Sequence, residues 1–446
     1  MSPDAERCDV VVVGGGFAGV VAARDLAQSG QSVILLEARD RLGGRAWVGE
    51  FPGTGIQIEI GGAWVAPAVQ PYVVRAAARY DITFKRDLPI ETAASLVDGQ
   101  RVQGVIPVPA DEVGDLERAW LHIARASERI DPNLPVDAQA GLEDLDVSWD
   151  DFVAPLDLGV ATREALAGWV SMYGGRRSDD WAALQILHWV AMMGHSPYNL
   201  VTSLDSKIEG GTGALVHAIA ADASIDVRLD AAVASVTQSE SEVTIQTTSG
   251  ATFVARAAVV ATPVNTWSDI SFSPPLNEGK AFAARETVGG YAVKSWAIVA
   301  DAPPVFLGAG SGEQSGGINW LVADRLTDDG WLIVGFSVLP DRYDPCNPQH
   351  VERTMQAYMP GSRLVACYGH DWINDPYSKG TWAAWRPGTI TGHLSQMREP
   401  EGRLAFATSD IAKFFAGWLE GALESGTTAA ATVGVLLDRD ALTATQ

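Results

Sequence analysis

Three glycines spaced Gly14-x-Gly16-x-x-Gly19, and an acid, Glu37, about twenty residues further on, could together hold a dinucleotide. The first glycine suits a tight turn, the second a close approach of backbone to pyrophosphate, the third close packing of helix on strand. Phe17 and Ala18 fill the positions between, where the amides and dipole of a helix start would meet the phosphate charge. Glu37 can accept hydrogen bonds from a ribose 2′-OH, which favours an adenosine lacking a 2′-phosphate. The elements that must position these groups are legible on either side. Val10 to Val13 is a β-branched run that reads as a buried parallel strand. Val20, Ala23, Leu26 and Ala27 give a helix one apolar face, Gly30 stops it, and Val33 to Leu36 form a second strand ending at Glu37.

The acid is followed by Ala38, Arg39 and then Arg41-Leu42-Gly43-Gly44-Arg45, a second glycine pair flanked by arginines. A nicotinamide site has no use for this addition. Here the chain resembles the flavin amine oxidase superfamily, whose E-A-x-x-R-x-G-G-R signature implies FAD, with Gly44 and Arg45 at the diphosphate. VVVVGGGFAG, LLEARDRLGGR, GGAWV and the segment from Asp371-Trp372 to Trp385 are most similar to its bacterial nicotine oxidoreductase and pseudooxynicotine amine oxidase branch. The resemblance implies further roles. Gly61, Gly62, Ala63 and Trp64 would run under the flavin, and an amide near Val233 would meet the adenine. Asp410 stands where the family usually has Glu and would contact the ribityl chain. The helix after Gly417 would point its positive end at the pyrimidine ring, where reduction places negative charge. Thr381 stands where mammalian monoamine oxidases carry a flavin-linked cysteine, which implies non-covalent FAD. Trp382 and Trp418 would form the two walls of an aromatic cage that orients the amine. Lys294 lies in an apolar strand, where an unpartnered lysine is costly. The family gives such a lysine the task of holding a water at flavin N5, associated with reoxidation by oxygen.

The fold class implied is α/β: a Rossmann-type (GR2-like) FAD-binding domain from residues 1–75, 201–285 and 396–446, interleaved with an α+β substrate-binding domain from 76–200 and 286–395. Helical patterns dominate 76–200, as at Asp115–Ile130 and Trp181–Met193. Strands are expected at Val227–Leu229, Val233–Val236, Val243–Thr247, Thr252–Val254, Ala257–Pro263 and Leu404–Ala407. Trp189, Met192, Met193, Tyr198 and Trp320 are cavity candidates by residue type alone, each also a natural core residue.

A formal charge of −23 argues against nucleic-acid or anionic-membrane partners. Cys8, Cys346 and Cys367 have no metal spacing and suggest reduced thiols. His188, His195, His217 and His370 likewise suggest no metal site. No apolar leader precedes the first strand and no transmembrane run follows, so the expectation is a cytoplasmic protein, with homodimerisation left open. The reaction implied is hydride transfer from the carbon next to an amine to flavin N5, giving an imine that hydrolyses to a carbonyl. The substrate would be a small hydrophobic or cyclic amine, and the acceptor O2, releasing H2O2, or a redox protein such as a cytochrome. Two competitors remain: a C–C desaturase of the same superfamily, which needs neither Trp382, Trp418 nor Lys294, and a flavoprotein that has lost its chemistry.

Overall fold

In a computed structural model, which describes residues 5–286 and 288–444, the two larger sheets both contribute to the region where the expected site residues gather. Residues Met1–Asp4, part of the stretch read for a leader, lie outside the described residues. The first sheet has Glu6–Val13 near its centre. Val10 to Val13 are at most 2% exposed, as a strand covered on both faces requires. It runs parallel to Val33–Leu36 on one side and to Thr252–Val260 on the other, with Val10 opposite both Val33 and Ala257. Asp226–Arg228 extends the sheet beyond Val33–Leu36. On the far side, Thr252–Val260 has two partners in succession. Its first half pairs antiparallel with Val243–Thr247, and its last residues, Ala258 to Val260, pair parallel with Leu404–Phe406. The chain therefore leaves this sheet after Leu36 and re-enters it twice.

The second sheet is mostly antiparallel, in the order Arg363–Tyr368, Val293–Ala300, Gly330–Ser337, Ile318–Thr327, Phe306–Gly310, Thr92–Val97 and Gln100–Gln103. Helix Val160–Gly174 packs on three of its strands, Thr92–Val97, Phe306–Gly310 and Ile318–Thr327. Helix Ala183–Met192 is buried from Ala183 through Ala191, Gln185 and His188 included, so it forms core rather than a surface layer.

Three readings are corrected. The strands expected at Thr252–Val254 and Ala257–Pro263 are one strand, Thr252–Val260, because parallel pairing to Glu6–Val13 continues through Ala255. The strand stops before Pro263, which has no N–H to extend a ladder. The helix-dominated stretch 76–200 also contains a hairpin, Thr92–Val97 with Gln100–Gln103. Its turn is Asp98-Gly99 with φ of 48° and 69°, the doubly positive conformation that Asp-Gly favours. The helices expected at Asp115–Ile130 and Trp181–Met193 are shorter, Val113–Ser127 and Ala183–Met192.

The glycine turn has the packing its spacing demands. A Cβ on Gly19 would lie 1.9 Å from the Gly14 carbonyl oxygen and 3.1 Å from Ala261 Cβ, so only a bare backbone lets helix Phe17–Gln28 sit this low on the strands. Gly19→Ala should therefore cost about 1–3 kcal/mol of stability, as overpacking does. Thermal unfolding of the variant against wild type measures it, and an unchanged midpoint would contradict the close approach.

Candidate active site

A cavity of about 570 Å³ opens where the parallel strands of the first sheet end, and Val13, Leu36 and Ala261 contribute to its wall. Ligands of open α/β sheets bind at such carboxyl-end crevices. Gly14, Gly16, Phe17, Ala18, Glu37, Ala38, Arg39, Gly44, Arg45, Gly61, Gly62, Val233, Lys294, Thr381, Trp382 and Trp418 all line it. Residues separated by almost the whole chain thus share one enclosure.

Four expected residues do not line it. Gly19 acts one layer back, in the packing just described. Ala63 is buried behind the wall. Trp64 is turned away, its indole N–H donating to Asp87 at 2.7 Å. Asp410 is buried, its carboxylate pairing with Arg45 at 2.8 Å and accepting the Val264 N–H at 3.2 Å. The sequence-stretch candidates Trp189, Met192, Met193, Tyr198 and Trp320 are not on the wall either. Trp189 is core behind Trp418, edge-on at 5.6 Å. Tyr198 is half exposed and donates its hydroxyl to Glu117.

Lys294 is the most constrained group. It is 5% exposed, and its Nζ donates to the Gly61 carbonyl at 2.7 Å. Two positions along its strand, Trp296 donates from its indole to the Glu59 carbonyl at 3.0 Å, so both contacts fall on the segment leading to Gly61 and Gly62. Lys294 Nζ also lies 5.2 Å from the Trp64 ring centre and 5.3 Å from that of Trp296. Burial pushes the ammonium down to about 7, against the pull of the Glu59 charge. Burial in turn raises the Glu59 carboxyl, although it accepts the backbone N–H and hydroxyl of Thr212 at 2.7 and 2.8 Å. Trp64 spans from this lysine to a second one. Lys207 Nζ is 4.9 Å from its ring centre and is held by Asp87 and Asp324 at 2.8 and 2.6 Å.

Several wall residues were not singled out from sequence: Thr266, Asp269, Trp372, Tyr377 and Lys379. The last three lie inside the Asp371–Trp385 segment already marked, and the signal available was their proximity to Thr381. The stretch Asp375–Lys379 is fastened across the cavity. Arg39 pairs with Asp375 at 2.5 Å and donates to the Ser378 hydroxyl at 3.0 Å, while Lys379 pairs with Asp269 at 2.5 Å. Burial would raise the Asp375 carboxyl, but the hydrogen bond to His370 and the Arg39 charge hold it below the usual range.

The lining fits a flavin nucleotide on three counts. Helix Phe17–Gln28 has no side-chain cap and no acid in its first turn, leaving its N-terminal amides for an anion. Gly16 and Gly62 have open Cβ positions, with nothing protein closer than 4.0 Å, so a ligand can approach their backbone. The Thr262 and Thr381 hydroxyls are buried without a protein partner. Among the described residues no cluster of His, Cys, Asp or Glu could hold a metal ion, and no helix is long and apolar enough to cross a membrane.

This fold and lining are those of a flavin-dependent oxidoreductase acting on C–N bonds. The chain belongs to the family described as flavin containing amine oxidoreductase, whose profile matches residues 17–434. It is 33% identical to a pseudooxynicotine dehydrogenase of Pseudomonas sp, over 94% of this chain and 84% of that one. It is also 33% identical to the (S)-6-hydroxynicotine oxidase of Paenarthrobacter nicotinovorans, over 94% and 97% of the two chains. Wild-type putrescine oxidase bound to putrescine has the same fold, with a TM-score of 0.85 at 23% identity over 97% of this chain and all of that one.

The buried Arg39–Asp375 pair gives a direct test of the strap. Asp375→Ala leaves a partly buried guanidinium without its partner, which should cost on the order of 3 kcal/mol. It should also speed release of bound flavin. Thermal unfolding and the fluorescence of freed flavin read the two effects separately.

Proposed function

We propose that this cavity holds FAD without a covalent bond, and that the chain oxidises a small hydrophobic or cyclic amine with O2 as acceptor and H2O2 as product. The observation that carries the reading is the meeting of Lys294, Thr381, Trp382 and Trp418 in one cavity with the glycine turn. When bound, the flavin supplies the two-electron acceptor for hydride from the carbon next to nitrogen. The residues do the rest. Gly14, Gly16 and the first amides of helix Phe17–Gln28 hold the diphosphate, and Glu37 takes the ribose. Thr381 offers a hydroxyl where a thioether would be needed for a covalent link, so no such link would form there. The indoles of Trp382 and Trp418 present electron-rich faces that orient the amine nitrogen. Released imine then hydrolyses in water to a carbonyl and ammonia or an amine, the two staying in one molecule when the imine nitrogen lies in a ring.

The cavity's carboxylates, Glu37 and Asp269, are engaged elsewhere. Glu37 accepts the Gly15 N–H at 2.6 Å, and Asp269 pairs with Lys379. Among the described residues that line the cavity no acid is left to receive a second ammonium group, which supports an apolar amine over a polyamine. Segments 1–75, 201–285 and 396–446 serve as the FAD domain, and 76–200 and 286–395 as the substrate domain.

Heat or acid precipitation should free all the flavin into the supernatant as FAD; yellow colour retained in the pellet contradicts the non-covalent assignment. Anaerobic stopped-flow reduction by an amine panel, followed by mixing with air, separates the remaining roles. Trp382→Ala should slow reduction and Lys294→Met should slow reoxidation, each roughly 100-fold, the scale of losing one preorganised electrostatic group. Reoxidation by a cytochrome but not by air would replace O2 with a redox protein as acceptor.

The lysine also fixes a pH dependence. Its charged form, dominant below about 7, stabilises negative charge arriving on dioxygen, and its neutral form does not. Reoxidation should therefore slow as pH rises through about 7, and the slope should vanish in Lys294→Met. A pH-independent wild-type rate between 6 and 9 excludes this role.

A further inference from the structure

Helix Val160–Gly174 ends in a turn that touches both cavity tryptophans without lining the cavity itself. The backbone carbonyl of Tyr173 accepts the indole N–H of Trp382 at 2.6 Å. The ring of the same tyrosine lies nearly parallel to that of Trp418, 24° apart in plane and 6.5 Å between centres. This ring is fixed in turn: it is 4% exposed, and its hydroxyl donates to the Leu200 carbonyl at 2.6 Å.

Two residues on, Gly175 ends the helix in the left-handed region at φ 64°. A Cβ there would stand 3.1 Å from Cε2 and Cζ2 of Trp382, so the indole edge lies against bare backbone. The Trp382 main chain is clamped as well. Gly290 donates to its carbonyl at 2.7 Å and accepts the Thr381 N–H at 2.8 Å, and Tyr291 donates to the Gly175 carbonyl at 2.8 Å. The indole thus has a fixed root, a fixed N–H and one edge against the helix end. Phe336 packs edge-on against the ring at 5.8 Å, and the indole also reaches the cavity wall.

We infer that the Tyr173–Gly175 turn is the positioning element of the amine slot: Tyr173 sets the relative placement of Trp382 and Trp418, and Gly175 sets how far the Trp382 indole stands toward the cavity. The inference rests on the reading of these two tryptophans as the walls that orient the amine. Displacements of about 1 Å in such walls cost roughly 100-fold in rate. A methyl group at 175 pushes the indole toward the cavity, so the slot narrows and amines with N-alkyl groups suffer more than primary ones. The turn therefore sets the degree of substitution the enzyme accepts.

The test uses the full-length flavoprotein labelled with 5-fluorotryptophan, with the fluorine resonances of residues 267, 382 and 418 assigned by single Trp→Phe changes. Tyr173→Leu removes the ring packed on Trp418 but keeps the carbonyl, so it should move the 418 signal, whereas Gly175→Ala should move that of 382. Neither should move the signal of Trp267, which packs on Phe406. An unmoved 418 signal in the first variant, or an unmoved 382 signal in the second, overturns the inference. Tyr173→Phe keeps the ring, and should restore the 418 signal and at least half the wild-type rate of anaerobic flavin reduction. In a panel of benzylamine, phenethylamine and piperidine with their N-methyl homologues, Gly175→Ala should weaken the methylated member of each pair at least tenfold more than its parent. Equal losses overturn the assignment to Gly175. Wild-type reduction by none of these amines, or unchanged reduction in Trp382→Ala, would sink the amine-slot reading instead, and the fluorine signals would still decide whether the turn places the two rings.

Discussion

The guanidinium of Arg45 joins three stretches of chain that lie far apart in sequence. It donates to the Thr381 carbonyl at 2.5 Å and to the Ser409 hydroxyl at 3.2 Å, and pairs with Asp410 at 2.8 Å. The Arg45 and Asp410 side chains are 19% and 4% exposed. In this setting a charge pair is strong only because its remaining donors and acceptors are also satisfied. The first glycine motif, the Thr381–Trp382 segment and the C-terminal motif are thereby held in register. Arg45 remains on the cavity wall, so the same cation that locks the scaffold also presents positive charge to it. That dual use explains why Asp410 lies behind the wall: with one methylene fewer than Glu, its carboxylate stays with the arginine and the Val264 amide.

A second constraint follows from placing Lys294 inside an apolar sheet. An isolated buried ammonium would simply lose its proton or unfold the strand. Here the cost is met by a ring of weak partners: the Gly61 carbonyl, the faces of Trp64 and Trp296, and the more distant charge of Glu59. None of these neutralises the lysine outright, and the group is left near the middle of its titration at neutral pH. Lys207 could not serve in its place, because Asp87 and Asp324 hold it as a conventional ion triad. Trp64 links the two environments: its N–H is anchored on the triad through Asp87 while its ring faces Lys294.

What could be read from the sequence divides along physical lines. The glycine turn was legible because backbone geometry dictates the residue: no side chain fits at Gly19, so the residue type states its own surroundings. Lys294 was legible because a lysine among apolar neighbours needs a reason. Trp64 and Asp410 were expected at the cavity and lie off its wall, because their directions are set by Asp87 and Arg45, which no local pattern brings together with them. The strap residues Tyr377 and Lys379 carried no pattern at all. They are loop positions whose importance comes from the Arg39 guanidinium over the Tyr377 ring and the ion pair of Lys379 with Asp269. The hairpin at Asp98-Gly99 is different in kind. Its turn chemistry was present in the sequence, and the surrounding helical pattern outweighed it.

The tryptophans show how context separates a common residue from a special one. Trp149, Trp181, Trp189, Trp267 and Trp385 are fully buried and fill volume. Trp382 and Trp418 reach the cavity, and each is braced from behind, Trp382 by the Tyr173 carbonyl and Phe336, Trp418 by the rings of Tyr173, Trp189 and Phe415. A phenol at position 382 would carry its donor at the ring tip, not at an indole edge, and could not make the same lateral bond to Tyr173. An indole there is also wider, and a bare backbone at Gly175 is what accommodates it. The choice of tryptophan at 382 and the absence of a side chain at 175 are therefore one structural decision, made at the end of a helix that never touches the cavity.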